Sequence, residues 1–218
     1  MKTPFYYRII ASLVEKLLNF NFSSKLFKKL KNKQLFFIQI GANDGVYQDP
    51  IYNFNENWDG ILIEPIPNVF SQLKENYKNR NSNLIFENLA VGNRNGFIDF
   101  FIPKDYNEVD WKSKIASIDK SIGMLKDMET ICINVEINTL DNIIKKHKVK
   151  KIDVLVIDIE GKEKDIFDTY SFSIKPKIIY FENRFLSYDE MLQLNSKFND
   201  LGYRIFREKD NTLLILKN

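Results

Sequence analysis

A turn at Gly41-Ala42-Asn43-Asp44-Gly45, an acid at Glu64, and a pair of acids at Asp158 and Glu160 are the residues whose types and spacing point to chemistry. The turn follows a short apolar run and combines residue types that tolerate positive φ, so its backbone amides can approach a bound molecule. It lacks the full G-x-G-x-x-G pattern, which argues against a pyrophosphate seated on the following helix. Taken alone, the turn also reads as a tight strand-to-helix connection. Glu64, followed by Pro65-Ile66-Pro67, lies about 20 residues further on. At that spacing a strand-end carboxylate is placed to accept hydrogen bonds from two ribose hydroxyls. The plainer reading of Glu64 is a surface carboxylate at a strand end.

Two further strand ends carry acids. The run Val154–Ile159 brings Asp158 and Glu160 to its end, and strand alternation points both to one side. In an open α/β sheet that edge is where ligands bind, which makes both acids site candidates; helix capping by one of them is the competing reading. The third run ends Phe86-Glu87-Asn88-Leu89-Ala90, where Glu87 or Asn88 is expected to face an adenine ring, with Ala90 close by. His147, the one histidine, sits among Lys145, Lys146 and Lys148 and reads as a solvated helix end. Trp111 is a candidate for stacking on a sugar ring. Phe5-Tyr6-Tyr7 and Phe36-Phe37 read as packing surface, and Trp58 has no assigned role.

These residues need a scaffold, and the chain supplies an alternation of short apolar runs and helical stretches. Expected buried strands are 35–40, 60–64, 84–90, 154–159 and 177–181; expected helices lie near 48–57, 67–80, 139–148, 163–169 and 187–201. Segments 202–207 and 212–216, joined by the turn-like Glu208-Lys209-Asp210-Asn211, read as a terminal antiparallel hairpin. Runs 97–102 and 131–137 add strands around an irregular 104–130 segment. The expectation is a doubly wound α/β domain with a mostly parallel sheet and helices on both faces.

Bulk properties narrow the function classes. A chain of 218 residues with 44% hydrophobic and 28% charged residues suits one ordinary domain, neither disordered nor membrane-embedded. The net charge of +3 is uneven: residues 1–34 carry eight Lys/Arg against Glu15 alone, so the remainder is mildly acidic. That argues against a nucleic-acid groove over the core. Residues 5–31 read as two short amphipathic helices around Ile9, Leu13, Leu17 and then Leu26, Phe27, Leu30. We therefore divide the chain into a basic helical extension, 1–34, and a catalytic domain, 35–218. The extension is expected to pack on the domain or a partner, or to touch an anionic membrane peripherally. A single cysteine, Cys132, and the lack of any apolar run long enough to span a bilayer fit a cytoplasmic location.

The Gly-Ala-Asn-Asp-Gly turn, Glu64-Pro65-Ile66-Pro67, Thr139-Leu140-Asp141 and Asp158-Ile159-Glu160-Gly161-Lys162-Glu163 together resemble the FkbM family of methyltransferases over about residues 35–183. The resemblance implies a Rossmann-like class I methyltransferase fold of seven strands, S-adenosylmethionine as cofactor, and O-methylation of glycans, lipopolysaccharide sugars or related small molecules. By the resemblance Gly41, Asn43, Asp44 and Glu64 would hold the cofactor, with Asp158 and Glu160 toward the acceptor; Ala42, Gly45, Pro65, Asn88, Ala90 and Asp158 complete the expected cofactor contacts. Lys162 stands where the family often has a small residue. Asp158 with Glu182-Asn183 also resembles the magnesium ligands of catechol-type O-methyltransferases, which implies Asp158, Glu182 and Asn183 as ligands and Glu182 as a further catalytic acid. Two alternatives stay open: a cofactor- or glycan-binding module without turnover, and an N-methyltransferase. The latter's Asn/Asp-Pro-Pro-Tyr/Phe signature is absent after the fourth strand, where Asp158 is followed by Ile159-Glu160-Gly161.

Overall fold

The computed structural model describes residues 22–80, 82–104 and 125–217. Five parallel strands form most of the main sheet: β1 (Phe36–Ile40), β2 (Asp59–Ile63), β3 (Leu84–Glu87), β7 (Val154–Ile157) and β8 (Ile178–Glu182). The hairpin β9 (Tyr203–Arg207) and β10 (Asn211–Leu216) completes it through antiparallel pairing of β10 with both β8 and β9. Strand order is β3-β2-β1-β7-β8-β10-β9, so connections leave β1 in opposite directions. This is the order of a Rossmann-like methyltransferase fold.

Strand alternation sorts the core into two layers. Ile38, Ile40, Leu155 and Ile157 point to one face, where they meet α3 (Leu140–Lys146), α4 (Glu163–Thr169) and α5 (Tyr188–Asp200) through Ile143, Phe167 and Phe198. Phe37, Val154 and Val156 point to the other, where they meet α1 (Phe22–Leu30) and α2 (Pro67–Tyr77) through Phe27, Leu73 and Tyr77. Local chemistry sets the helix starts. Ser187 and Glu190 form a capping box on α5, Thr139 Oγ1 accepts from Asn142 N on α3, and Pro67 opens α2 where its missing N–H costs nothing.

A second sheet has order β4-β6-β5, built from β4 (Ala90–Val91), β5 (Gly96–Pro103) and β6 (Thr130–Asn138). Its apolar face, with Phe100, Ile102, Val135 and Ile137, packs over Ile66 and Val69 at the start of α2.

Three expectations are corrected. Segment 84–90 is not one strand: it leaves the main sheet after Glu87, and Ala90–Val91 pairs with Ile137–Asn138 instead. Segment 48–57 is not a helix. Asp49 Oδ1 accepts from both Ile51 N and Tyr52 N, and successive tight turns end at Trp58 N on Asn55 O. Side-chain acceptors here take the amides a helix would need. Segment 154–159 is strand only to Ile157; Glu160 and Gly161 then adopt φ of +57° and +103°.

Within the basic extension, α1 packs on the domain. Phe27 is fully buried against Trp58 and Tyr180, a contact of about 1.5–3 kcal/mol, and Ser23 bonds Glu208 through its N–H and its hydroxyl. The first expected helix, Phe5-Tyr6-Tyr7 and Trp111 lie outside the described residues. Among the described residues, no helix is long and apolar enough to cross a membrane.

Candidate functional site

Register brings three strand ends level: Ile40 pairs with Ile63 on one side and Ile157 on the other. The segments that follow them, Gly41–Asn43, Glu64–Ile66 and Asp158–Glu160, therefore meet at one edge. Strand order reverses there, which opens a crevice between the outgoing connections. The crevice is a pocket with about 1090 Å³ of space, open solvent at its mouth included, at the edge where α/β sheets bind ligands.

The floor is the glycine turn. Gly41 N and Ala42 N donate to Ile63 O, which folds the chain back across the end of β2. Gly41 has φ of +73°, and a Cβ there would lie 1.8 Å from the Asp158 carbonyl oxygen. Only glycine allows β1 and β7 to turn away so close together. Asn43, at φ +50°, directs its N–H to Glu64 Oε2 at 2.9 Å, and Ile66 N donates to Glu64 Oε1 at 2.9 Å. Glu64 is thus held from both sides while facing the pocket, and each oxygen keeps acceptor capacity for another donor. Burial lifts its pKa to about 7, and the two amide bonds pull against that rise.

Not every expected cofactor residue lines this space. Gly41, Ala42, Asn43, Glu64, Pro65, Ala90 and Asp158 do. Asp44 instead caps its own turn, its Oδ1 accepting from Val46 N and Tyr47 N. Gly45 packs against Leu73 and Tyr77 of α2. Asn88 stands behind the wall and donates to the carbonyls of Glu64 and Pro65. Glu87 is turned away from the pocket: Lys146 Nζ at 2.7 Å and His147 Nε2 both reach it. Burial pushes Glu87 up, but its hydrogen bonds with Lys146 and His147 outweigh that and its pKa is lowered. His147 stands at the C-terminal end of α3, but it is not solvated: its ring is largely buried against Glu87.

The acids at the pocket's far side form a cluster. Asp158, Glu160 and Glu182 each bring a carboxylate oxygen within 4.8 Å of the others. Asp158 is accessible through the pocket, yet protein surrounds it elsewhere, and burial raises its pKa to about 6. Burial and the charge of Asp158 raise Glu160 to about 7, against the pull of Arg184. Glu182 is raised furthest, by burial and by its acidic neighbours, and its Oε2 is buried with no hydrogen-bond partner among the described residues. Carboxylates so close cannot all ionise independently, so the cluster is set up to exchange a proton or to hold a cation. Asn183 Nδ2 donates to Thr212 Oγ1 at 2.7 Å, and among the acids it is Glu160 that joins Asp158 and Glu182.

Several pocket residues escaped the sequence reading. Leu89, Val91 and Phe100 supply an apolar wall, and Gln39, Tyr47, Gln48 and Asp49 also line the pocket, beside the Lys162 that the sequence had marked. Gln39 had a visible signal, as the one polar residue in the run Phe36–Ile40.

Comparison with known proteins adds a family assignment. A family model described as the methyltransferase FkbM domain matches residues 39–205. No curated protein matches the chain. Among solved structures, the chain is similar to precorrin-6y C5,15-methyltransferase from Geobacter metallireducens, at 12% identity over 89% of this chain and 87% of that one, with a TM-score of 0.46. It is also similar to a methyltransferase from Geobacter sulfurreducens, at 9% identity over 96% and 87%, TM-score 0.47. The fibrillarin pre-rRNA processing protein of Methanococcus jannaschii shows 12% identity over 86% and 69%, TM-score 0.47.

Proposed function

The chain belongs to the FkbM methyltransferase family, and from that premise we propose that it transfers a methyl group from S-adenosylmethionine to a hydroxyl of a sugar, a glycan or a related small molecule. The observation that carries the oxygen acceptor is the pair Asp158 and Glu160 at the pocket, with ionisation held near neutral pH. A hydroxyl must lose its proton on methylation, and a base works best when its pKa lies near the operating pH.

The residues present fit the cofactor. Glu64 is a buried carboxylate with acceptor capacity left for ribose hydroxyls, Gly41 leaves open a cradle that a Cβ would fill, and Ile66, Leu89 and Phe100 offer apolar surface to a flat ring. When bound, S-adenosylmethionine supplies a methyl group already activated on sulfonium. The chain's own task is then mainly alignment. Gly41–Asn43 and Glu64 hold the donor, the pocket walls exclude water, and the Asp158 or Glu160 carboxylate takes the acceptor's proton. Three clustered carboxylates also suit a hard divalent cation such as magnesium completed by water, a second reading favoured by Glu182 Oε2, which has no partner among the described residues.

The test is transfer of radiolabelled methyl from S-adenosylmethionine to a panel of hydroxyl-only oligosaccharides and of primary amines. Label in an ether resistant to mild base is the expected product. Label confined to amines would overturn the oxygen assignment, and no transfer to any acceptor despite tight cofactor binding would favour a binding module.

A further inference from the structure

We propose that the edge of the main sheet opposite the pocket is a docking surface for an anionic phospholipid membrane. The parallel strands enter the sheet at this edge, and register keeps their starts level: Phe37 pairs with Val154, Val154 with Ile178, and Ile178 with Ile215 of the returning β10. The segments that reach it, 31–35, 148–153, 175–177 and residue 217, carry eight lysines, all exposed, and Asp153 as their one acid. Asp153 is 2% exposed and already engaged: it accepts from Phe36 N and holds Lys151 Nζ at 2.9 Å and Lys177 Nζ at 2.7 Å. Its single charge leaves a large positive surplus facing solvent.

Charge is thus separated along the strands, because the pocket edge gathers carboxyl groups instead, Asp49, Glu64, Asp158, Glu160 and Glu182 among them. A domain basic at one end and acidic at the other turns in the field of an anionic surface so that its basic end leads. The five residues of β1 separate the two edges by about 17 Å, roughly twice the Debye length of about 8 Å at physiological salt, so the pocket acids do not cancel the attraction. Docked this way, the pocket faces solution and stays open. A lysine ammonium is a compact point charge on a flexible stem, suited to diffuse attraction by a charged plane. The same segments contain no arginine for bidentate contact with bases and no aromatic side chain to stack on them, which favours a membrane over a nucleic acid. None of the large exposed apolar side chains lies there either, so the contact is electrostatic, without insertion.

Vesicle sedimentation of the full chain tests this, with phosphatidylcholine alone and with phosphatidylcholine carrying roughly one-quarter phosphatidylglycerol, which makes the surface potential negative. Wild-type protein is expected on the anionic vesicles only, with binding that falls steeply as salt rises. The combined variant Lys33→Glu, Lys148→Glu, Lys150→Glu and Lys217→Glu leaves both Asp153 ion pairs in place and should weaken that binding by about 100-fold or more. A control with Arg94→Glu, Lys104→Glu, Lys126→Glu and Lys209→Glu makes the same change in net charge at exposed positions outside this edge, and should lose at most about threefold. Thermal melting identifies an edge variant that fails to fold, and Lys→Gln changes at the same four positions then carry the test. Wild-type protein that ignores anionic vesicles, or binds neutral ones equally well, overturns the surface. So does an equal loss in the two combined variants, an edge variant that binds like wild type, or tighter binding to a DNA duplex than to anionic vesicles at the same salt.

Discussion

Asp158→Asn is expected to cut turnover by roughly 10²–10⁴-fold while cofactor affinity stays within about threefold, the usual share of general-base catalysis. The substitution keeps the size of the side chain and removes its capacity to take a proton. Asp158 is open to the pocket and clusters with Glu160 and Glu182, so the change acts on the cluster rather than on the core. The pH profile supplies a second readout. A base must be ionised, and burial holds Asp158 at about 6 and Glu160 at about 7. Wild-type activity should therefore be present above about pH 7 and fall as the pH drops through 7 and 6. Loss of the Asp158 charge removes one of the influences raising Glu160 and Glu182, so residual activity in the variant should persist to lower pH. Chelation separates the two uses of the cluster: EDTA abolishes activity, and magnesium restores it, only where a cation is held. Near-native turnover of both Asp158→Asn and Glu160→Gln with chelator present would leave the acids merely structural.

Gly41→Ala should be the most damaging small substitution in the turn. An alanine must adopt φ of +73°, about 1–2 kcal/mol in the left-handed region, and its Cβ meets the Asp158 carbonyl at 1.8 Å. The obstruction is backbone rather than a flexible side chain, so β1 and β7 must separate, at an overpacking cost of about 1–3 kcal/mol. The two together predict a loss of about 2–5 kcal/mol, or roughly 4–20 °C in melting temperature for a chain of this size. Gly92→Ala is the control, since a Cβ there meets only the side-chain tip of Ile137. Equal melting temperatures for the two variants would show that the turn is looser than its geometry implies.

The parallel sheet was legible because its strands are buried on both faces and read as nearly continuous apolar runs, unbroken at Val154–Ile157 and interrupted at Phe36–Ile40 by Gln39 alone. Glu64 was legible because a strand-end acid after a glycine turn has a defined spacing. Local pattern failed where long-range pairing decides. Nothing near Asn88 announces that Ala90–Val91 will pair with Ile137–Asn138, so the apolar wall with Phe100 went unseen. It failed again where side chains compete with the backbone: a helix is expected near 48–57, yet Asp49 there bonds its own loop and Gln39 instead. The positive φ of Glu160 was likewise hidden, because the acid's place beside Asp158 comes from a turn rather than strand alternation.

The central claim, that this pocket holds S-adenosylmethionine with its ribose on Glu64, is tested most directly by titrating the cofactor into the wild-type protein and Glu64→Ala. Hydrogen bonds to a charged group contribute about 1.5–3 kcal/mol, so the variant should bind roughly 10–150-fold more weakly. Glu64 also orders Asn43 N and Ile66 N, so melting curves must first establish that the variant is folded. A folded Glu64→Ala protein with unchanged cofactor affinity would contradict the account.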